Sequence, residues 1–223
     1  MFLKNKFLYI SAVLILIGFF IYNSNVSSIL PASSTEKLLP IYSVETNNND
    51  ISITFDVAWE SEDMFSILDT LDKYNVKATF FFCGYWIEKN PDLLIEIYNR
   101  GHELGSHGNN HLHGNKLSKN EHKEEITLVA EKIKELLGIN IYLFRAPYGE
   151  YNNNMLTVAK NENFSVIQWT VDSHDWKGKG VDYEVNQVLN HKDLGNGSIL
   201  LFHTGTKTTA QSLPIILESL STK

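Results

Sequence analysis

The chain has 223 residues and a formal charge of −7, from 19 Lys and Arg against 26 Asp and Glu, which argues against nucleic acid, whose binding needs a clustered basic surface. Its 43% hydrophobic and 12% aromatic content excludes a disordered chain and suffices for the core of one ordinary domain. The single cysteine, Cys83, excludes an intramolecular disulfide; within the apolar run Thr79-Phe80-Phe81-Phe82-Cys83 a buried, inert thiol is expected.

Taken in chain order, Lys4 and Lys6 precede an apolar run from Phe7 to Tyr22 that has no polar face. Positive charge before such a run keeps the N-terminus inside and exports the downstream chain. Small residues that would suit signal cleavage, Ala32 and Ser33, lie far from it. The expectation is a cytoplasmic stretch 1–6, an uncleaved transmembrane signal-anchor 7–22, a polar linker 23–48 and a domain 49–223 held outside the cell membrane.

From Asp50 onward, strand-like and helix-like stretches alternate. Ile51–Phe55 and Ala78–Phe82 read as strands. Met64–Tyr74 reads as a helix, with Phe65, Leu68 and Leu71 at helical spacing, and Pro91 opens another. Glu121–Leu137 carries Ile126, Val129, Ile133, Leu136 and Leu137 on one face, with Gly138 as its stop. Tyr142–Phe144, Ser165–Trp169 and Ser198–Phe202 are further buried strands, and Leu213, Ile216, Leu217 and Leu220 mark a last helix. Such alternation implies parallel strands covered by helices, as in a (β/α) barrel or an incomplete one. An open doubly wound sheet is the alternative.

Polar groups at the C-terminal ends of parallel strands are the usual place for chemistry. Five such ends carry them. Asp56 closes Thr54-Phe55-Asp56, with Trp59 close behind, and reads equally as a helix N-cap. His107 and His111, four apart, would share one helical face and reach one metal ion, although this spacing also arises by chance. His102 and His113 read as structural, with His113 turned away from that face. Arg145 opens Arg145-Ala146-Pro147-Tyr148-Gly149 and needs an anion, for which a structural ion pair is enough. Asp172-Ser173-His174-Asp175-Trp176 places acids beside an aromatic. His203 ends the apolar run Leu200-Leu201-Phe202, where a satisfied core histidine is the plainer reading.

In this order the five segments resemble the motifs of the polysaccharide deacetylase family (NodB-homology, carbohydrate esterase family 4), over residues 50–222. Phe55-Asp56-Val57-Ala58-Trp59 is similar to its sporulation-associated branch. The resemblance implies a distorted (β/α) barrel of the NodB-homology type and hydrolysis of N-acetyl groups on amino-sugar polymers such as peptidoglycan or spore-cortex glycan. It also implies the roles. His107 and His111 would hold a divalent metal, zinc or alternatively cobalt or nickel. Asp56 would be the general base, paired with Arg145. The Tyr148 N–H would face the oxyanion, and His203 would be the acid, supported by Asp175. Trp176 and Leu201 would wall the acetyl pocket, and Trp59 would contact the sugar.

The family's second Asp, its third protein metal ligand, is Val57 here. This departure keeps a second reading open: a catalytically weak or inactive glycan-binding, morphogenetic protein. An esterase acting on another acetylated polymer is the third. The expected partners are the acetylated glycan and the membrane, not nucleic acid, and the chain is expected to be a monomer.

Overall fold

Along the strand Ser52–Val57 (β1), Ile53, Phe55 and Val57 enter the main hydrophobic core, whereas Asp56 faces a cavity on the other side of the sheet. Two-residue alternation separates packing from chemistry on a single strand. The computed structural model describes residues 38–222, and β1 is an interior strand of its sheet, between β2 and β7.

After β1 come the helix Met64–Lys73 (α1), strand Thr79–Phe82 (β2), helices Gly84–Lys89 (α2) and Pro91–Asn99 (α3), and strand Glu103–Ser106 (β3). Helix Lys119–Leu137 (α4), strand Leu143–Phe144 (β4), helix Asn153–Asn161 (α5) and the short strands Ser165–Val166 (β5) and Val171–Asp172 (β6) come next. Helix Val181–Leu189 (α6), strand Ile199–His203 (β7) and helix Thr209–Ser221 (α7) complete the domain. All pairings between strands are parallel, in the order β5-β4-β3-β2-β1-β7-β6. β5 and β6 are the two edges, so the barrel is incomplete.

The expected stretch Ser165–Trp169 is a strand only over its first two residues. The chain then leaves that edge and joins the opposite one at Val171, and so links the two edges of the open sheet. Strand β3 and helices α2, α5 and α6 had no counterpart in the periodicity reading.

The outer core joins Phe55, Phe80, Phe82 and Phe202 to Leu68 and Leu71 of α1, Val129 and Ile133 of α4, and Leu213 and Ile216 of α7. Phe55 stacks on Phe80 at 4.8 Å and 15°. Each such buried side chain contributes about 1.5–3 kcal/mol. Helix α4 begins at a reciprocal capping box between Ser118 and Glu121 and ends at Gly138, whose φ of +71° suits glycine. Cys83 is fully buried as expected, and burial pushes its thiol upward.

Residues 40–44, within the stretch read as linker, are bonded to the domain. Ile41 N–H donates to Val166 O at 2.8 Å, and Val44 N–H to Gly197 O at 2.9 Å. The segments 1–6 and 7–22 lie outside the described residues. Among the described residues no helix is long and apolar enough to cross a membrane.

Candidate active site

Arg145 leaves the end of β4 and runs under the mouth of the half-barrel with no exposure to solvent. Its guanidinium lies 4.2 Å from the Phe81 ring, donates from Nη2 to Gln168 O at 3.2 Å, and donates from Nη1 to Asp56 Oδ1 at 2.9 Å. A fully buried cation needs an anion, and Asp56 is that anion. Burial alone would push the Asp56 carboxyl up; the Arg145 guanidinium bonded to it, with His203 beyond, outweighs that and holds it below the ordinary aspartate range. Asp56 is therefore ionised at neutral pH and fixed in orientation.

The other Asp56 oxygen, Oδ2, is 3.4 Å from His107 Nε2. His107 Nδ1 is 3.0 Å from Arg145 O, a carbonyl that can only accept, so Nδ1 carries the proton and Nε2 presents a lone pair. Burial lowers the basicity of His107, and it lowers His111 to about 4, leaving both rings neutral, the form that ligates metal.

The two rings meet edge to face at 5.0 Å, but not across a helical turn. Residues 107–113 form an irregular loop in which Gly108 (φ +83°) and His111 (φ +53°) are both left-handed. The helical expectation is corrected here; tertiary contacts bring the pair together. His113 does not line the cavity that His107 and His111 face. It stacks on Tyr148 at 4.0 Å and 11°, its Nδ1 lies 3.1 Å from Glu150 Oε1, and His111 packs on the same Tyr148 at 4.6 Å. His102 is structural as read, its Nδ1 accepting the Ala78 N–H at the opposite end of the sheet.

The lone pair of His107 Nε2 and the carboxylate Oδ2 face one another without a proton between them, an arrangement that favours a cation. His107 and His111 therefore fit a divalent metal. Among the described residues no group of three His, Cys, Asp or Glu side chains stands at metal-holding distances. Val57 occupies none of this space; it is fully buried in the core on the far side of β1.

Across the cavity His203 ends β7, beside Asp56 in the strand register. Its Nδ1 is 2.7 Å from Asp175 Oδ1. Asp175, 2% exposed, also accepts the backbone N–H groups of Trp176 and His203 and the hydroxyl of Thr209. Burial opposes charge on His203, but Asp175, with Asp56 and Asp172 beyond it, raises its pKa above the ordinary histidine value. Trp59 stacks on the His203 ring at 5.1 Å.

These groups enclose a cavity of about 380 Å³ whose walls include Trp59, Tyr148, Trp176 and Leu201. Trp169 and Asp172 line it too, and the sequence assigned neither a role. Asp172 was visible in its motif, whereas Trp169 reaches the cavity only because β5 ends early. A larger cavity of about 590 Å³ lies across Trp59, beside Ser61, Tyr85 and Asn90, and holds no carboxylate–imidazole pair.

The polysaccharide deacetylase family profile matches residues 43–167, more than half of the chain. The chain belongs to this family. It is 35% identical over 197 residues to the peptidoglycan-N-acetylglucosamine deacetylase of Bacillus cereus, covering 86% of this chain and 71% of that one. A solved structure of a wild-type carbohydrate esterase family 4 pseudoenzyme from Bacillus anthracis superposes with TM-score 0.78 at 29% identity, over 82% of this chain and 64% of that one. A mutant of that pseudoenzyme with restored enzymatic activity superposes equally well, with 66% of its chain covered. The polysaccharide deacetylase chain described here thus spans about two thirds of the pseudoenzyme's length.

Proposed function

We propose that the protein hydrolyses N-acetyl groups on the amino sugars of peptidoglycan or a related cell-wall glycan, releasing acetate. One observation carries this reading: a carboxylate held by a buried arginine, Asp56, and an imidazole held by a buried carboxylate, His203, face one cavity from adjacent strand ends, the first acidified and the second made more basic. Amide hydrolysis needs such a pair, one group to take a proton and one to give it.

Asp56 accepts a proton from the attacking water, and Arg145 holds the carboxylate in place. As the carbonyl carbon becomes tetrahedral, the N–H of Tyr148, on a residue held at φ +60°, is the donor for the oxyanion. His203, with Nδ1 bonded to Asp175, gives the proton at its Nε2 to the nitrogen as the C–N bond breaks. Acetate and a free amine leave. Leu201 and Trp176 enclose the acetyl methyl, and Trp59 presents an indole face to the sugar. His107 and His111 are the residues that would hold zinc, or cobalt or nickel, and such an ion would polarise the carbonyl and acidify the water. With a signal-anchor at 7–22, the domain would work outside the membrane, where peptidoglycan lies.

A second reading, glycan binding without turnover, is favoured by Val57. Its side chain in the core leaves two imidazoles where a catalytic zinc usually has three protein ligands. Acetate release from N-acetylglucosamine oligomers and peptidoglycan, with zinc or cobalt added and beside Asp56→Asn, separates the two. Metal-dependent release that the variant loses supports hydrolysis. Glycan binding with no acetate from a folded protein supports the second reading.

A further inference from the structure

The loop between the paired histidines is shaped by its neighbours. On one side Gly84 N–H donates to Gly108 O and Tyr85 N–H to Asn109 O, both at 3.2 Å. On the other stands α4. Its Glu125, 6% exposed, accepts the Asn110 N–H at 2.9 Å through Oε2 and the Asn110 side-chain amide at 2.9 Å through Oε1. Farther along the same helix, Lys132 Nζ donates to Asn109 Oδ1 at 2.8 Å. The fit is close: a Cβ at Gly108 would stand 2.9 Å from Glu125 Oε2.

A buried carboxylate on a core-facing helix is costly unless its oxygens are bonded. The bonds of Glu125 go to one residue, Asn110, immediately before His111. We propose that Glu125 is a positioning residue for the histidine pair: by gripping Asn110 it holds the left-handed turn that carries His111 to within 5.0 Å of His107. This rests on the reading of His107 and His111 as metal donors. Groups that act behind metal ligands in this way typically alter affinity by about 10- to 100-fold.

The test uses the full chain, titrated calorimetrically with zinc. Glu125→Met keeps the volume but accepts no hydrogen bond, and is expected to weaken zinc binding by about 10-fold or more. Glu125→Gln can still accept the backbone N–H and donate to a turned Asn110 amide, so it is expected to stay within about threefold of the parent by the same rule. A plain packing role would not produce that ordering. A metal-free readout goes with it: Glu125→Met should lose the exchange protection of the Asn110 amide and shift the His111 ring resonances. A folded Met variant with parental zinc affinity, or with His111 resonances unmoved, overturns the proposal. A parent that binds no zinc overturns the metal reading instead, and the exchange and ring data still decide the role of Glu125.

Discussion

Asp56 and Arg145 meet at 2.9 Å with neither side chain more than 5% exposed, so the candidate base and its orienting cation form a buried pair. The same carboxylate turns its second oxygen to His107. One residue thus links the charge of the half-barrel interior to the histidine pair. Removing Arg145 strands a buried carboxylate. Arg145→Met is expected to cost about 3–5 kcal/mol of stability, read from urea unfolding, because a buried ion loses its partner. An unchanged midpoint would show that the pair is not buried in solution.

Asp56→Asn removes the proton acceptor while nearly preserving shape. Acetate release should fall by about 10²- to 10⁴-fold, the usual worth of a general base, with glycan binding retained. Retained turnover would reassign the base.

Asp175→Asn tests the acid. His203 must be protonated to act, and Asp175 keeps it so above the ordinary histidine range. Activity in the parent should therefore fall only as pH rises through that raised pKa. In the variant the alkaline limb should move to lower pH. A limb that stays in place would show that another group supplies the proton.

Glu184 on α6 is 1% exposed, with Oε1 accepting from Ser212 and Oε2 unpaired among the described residues. Burial raises its pKa to about 7. The folded protein then holds a proton that the unfolded chain, near 4.5, has released, so stability falls as pH rises from about 4.5 through about 7. The total change is up to about 3 kcal/mol. Glu184→Gln should flatten this slope in denaturation curves at pH 5 and pH 8; equal slopes would contradict it.

Val57→Asp places a carboxylate in the core cluster of Phe55 and Phe82. In chelator it should lose several kcal/mol, on the order of an unpaired buried charge. Added zinc should restore part of that loss if the new carboxylate turns to His107. No loss in chelator would mean that position 57 does not face the core.

The local periods of the chain are strong enough to mark β1, β2, β7 and α4 within a few residues, because apolar spacing and a stop such as Gly138 act over short range. By themselves they also named Asp56, Arg145, Asp175 and His203 as strand-end groups. Their pairing was implied only by the family resemblance, not by the local periods. Arg145 meets Asp56 across 89 positions, and Asp175 meets His203 across 28. Only the closing of the parallel sheet brings those ends together. The histidine loop shows the limit most clearly. The spacing of His107 and His111 suggested a helix, but positive φ at Gly108 and His111 and bonds from Glu125 and Gly84 decide otherwise. Position 57 is the converse case. The sequence showed that valine stands there, and the tertiary structure decided that it faces the core, since alternate residues of a strand must point to opposite sides of the sheet.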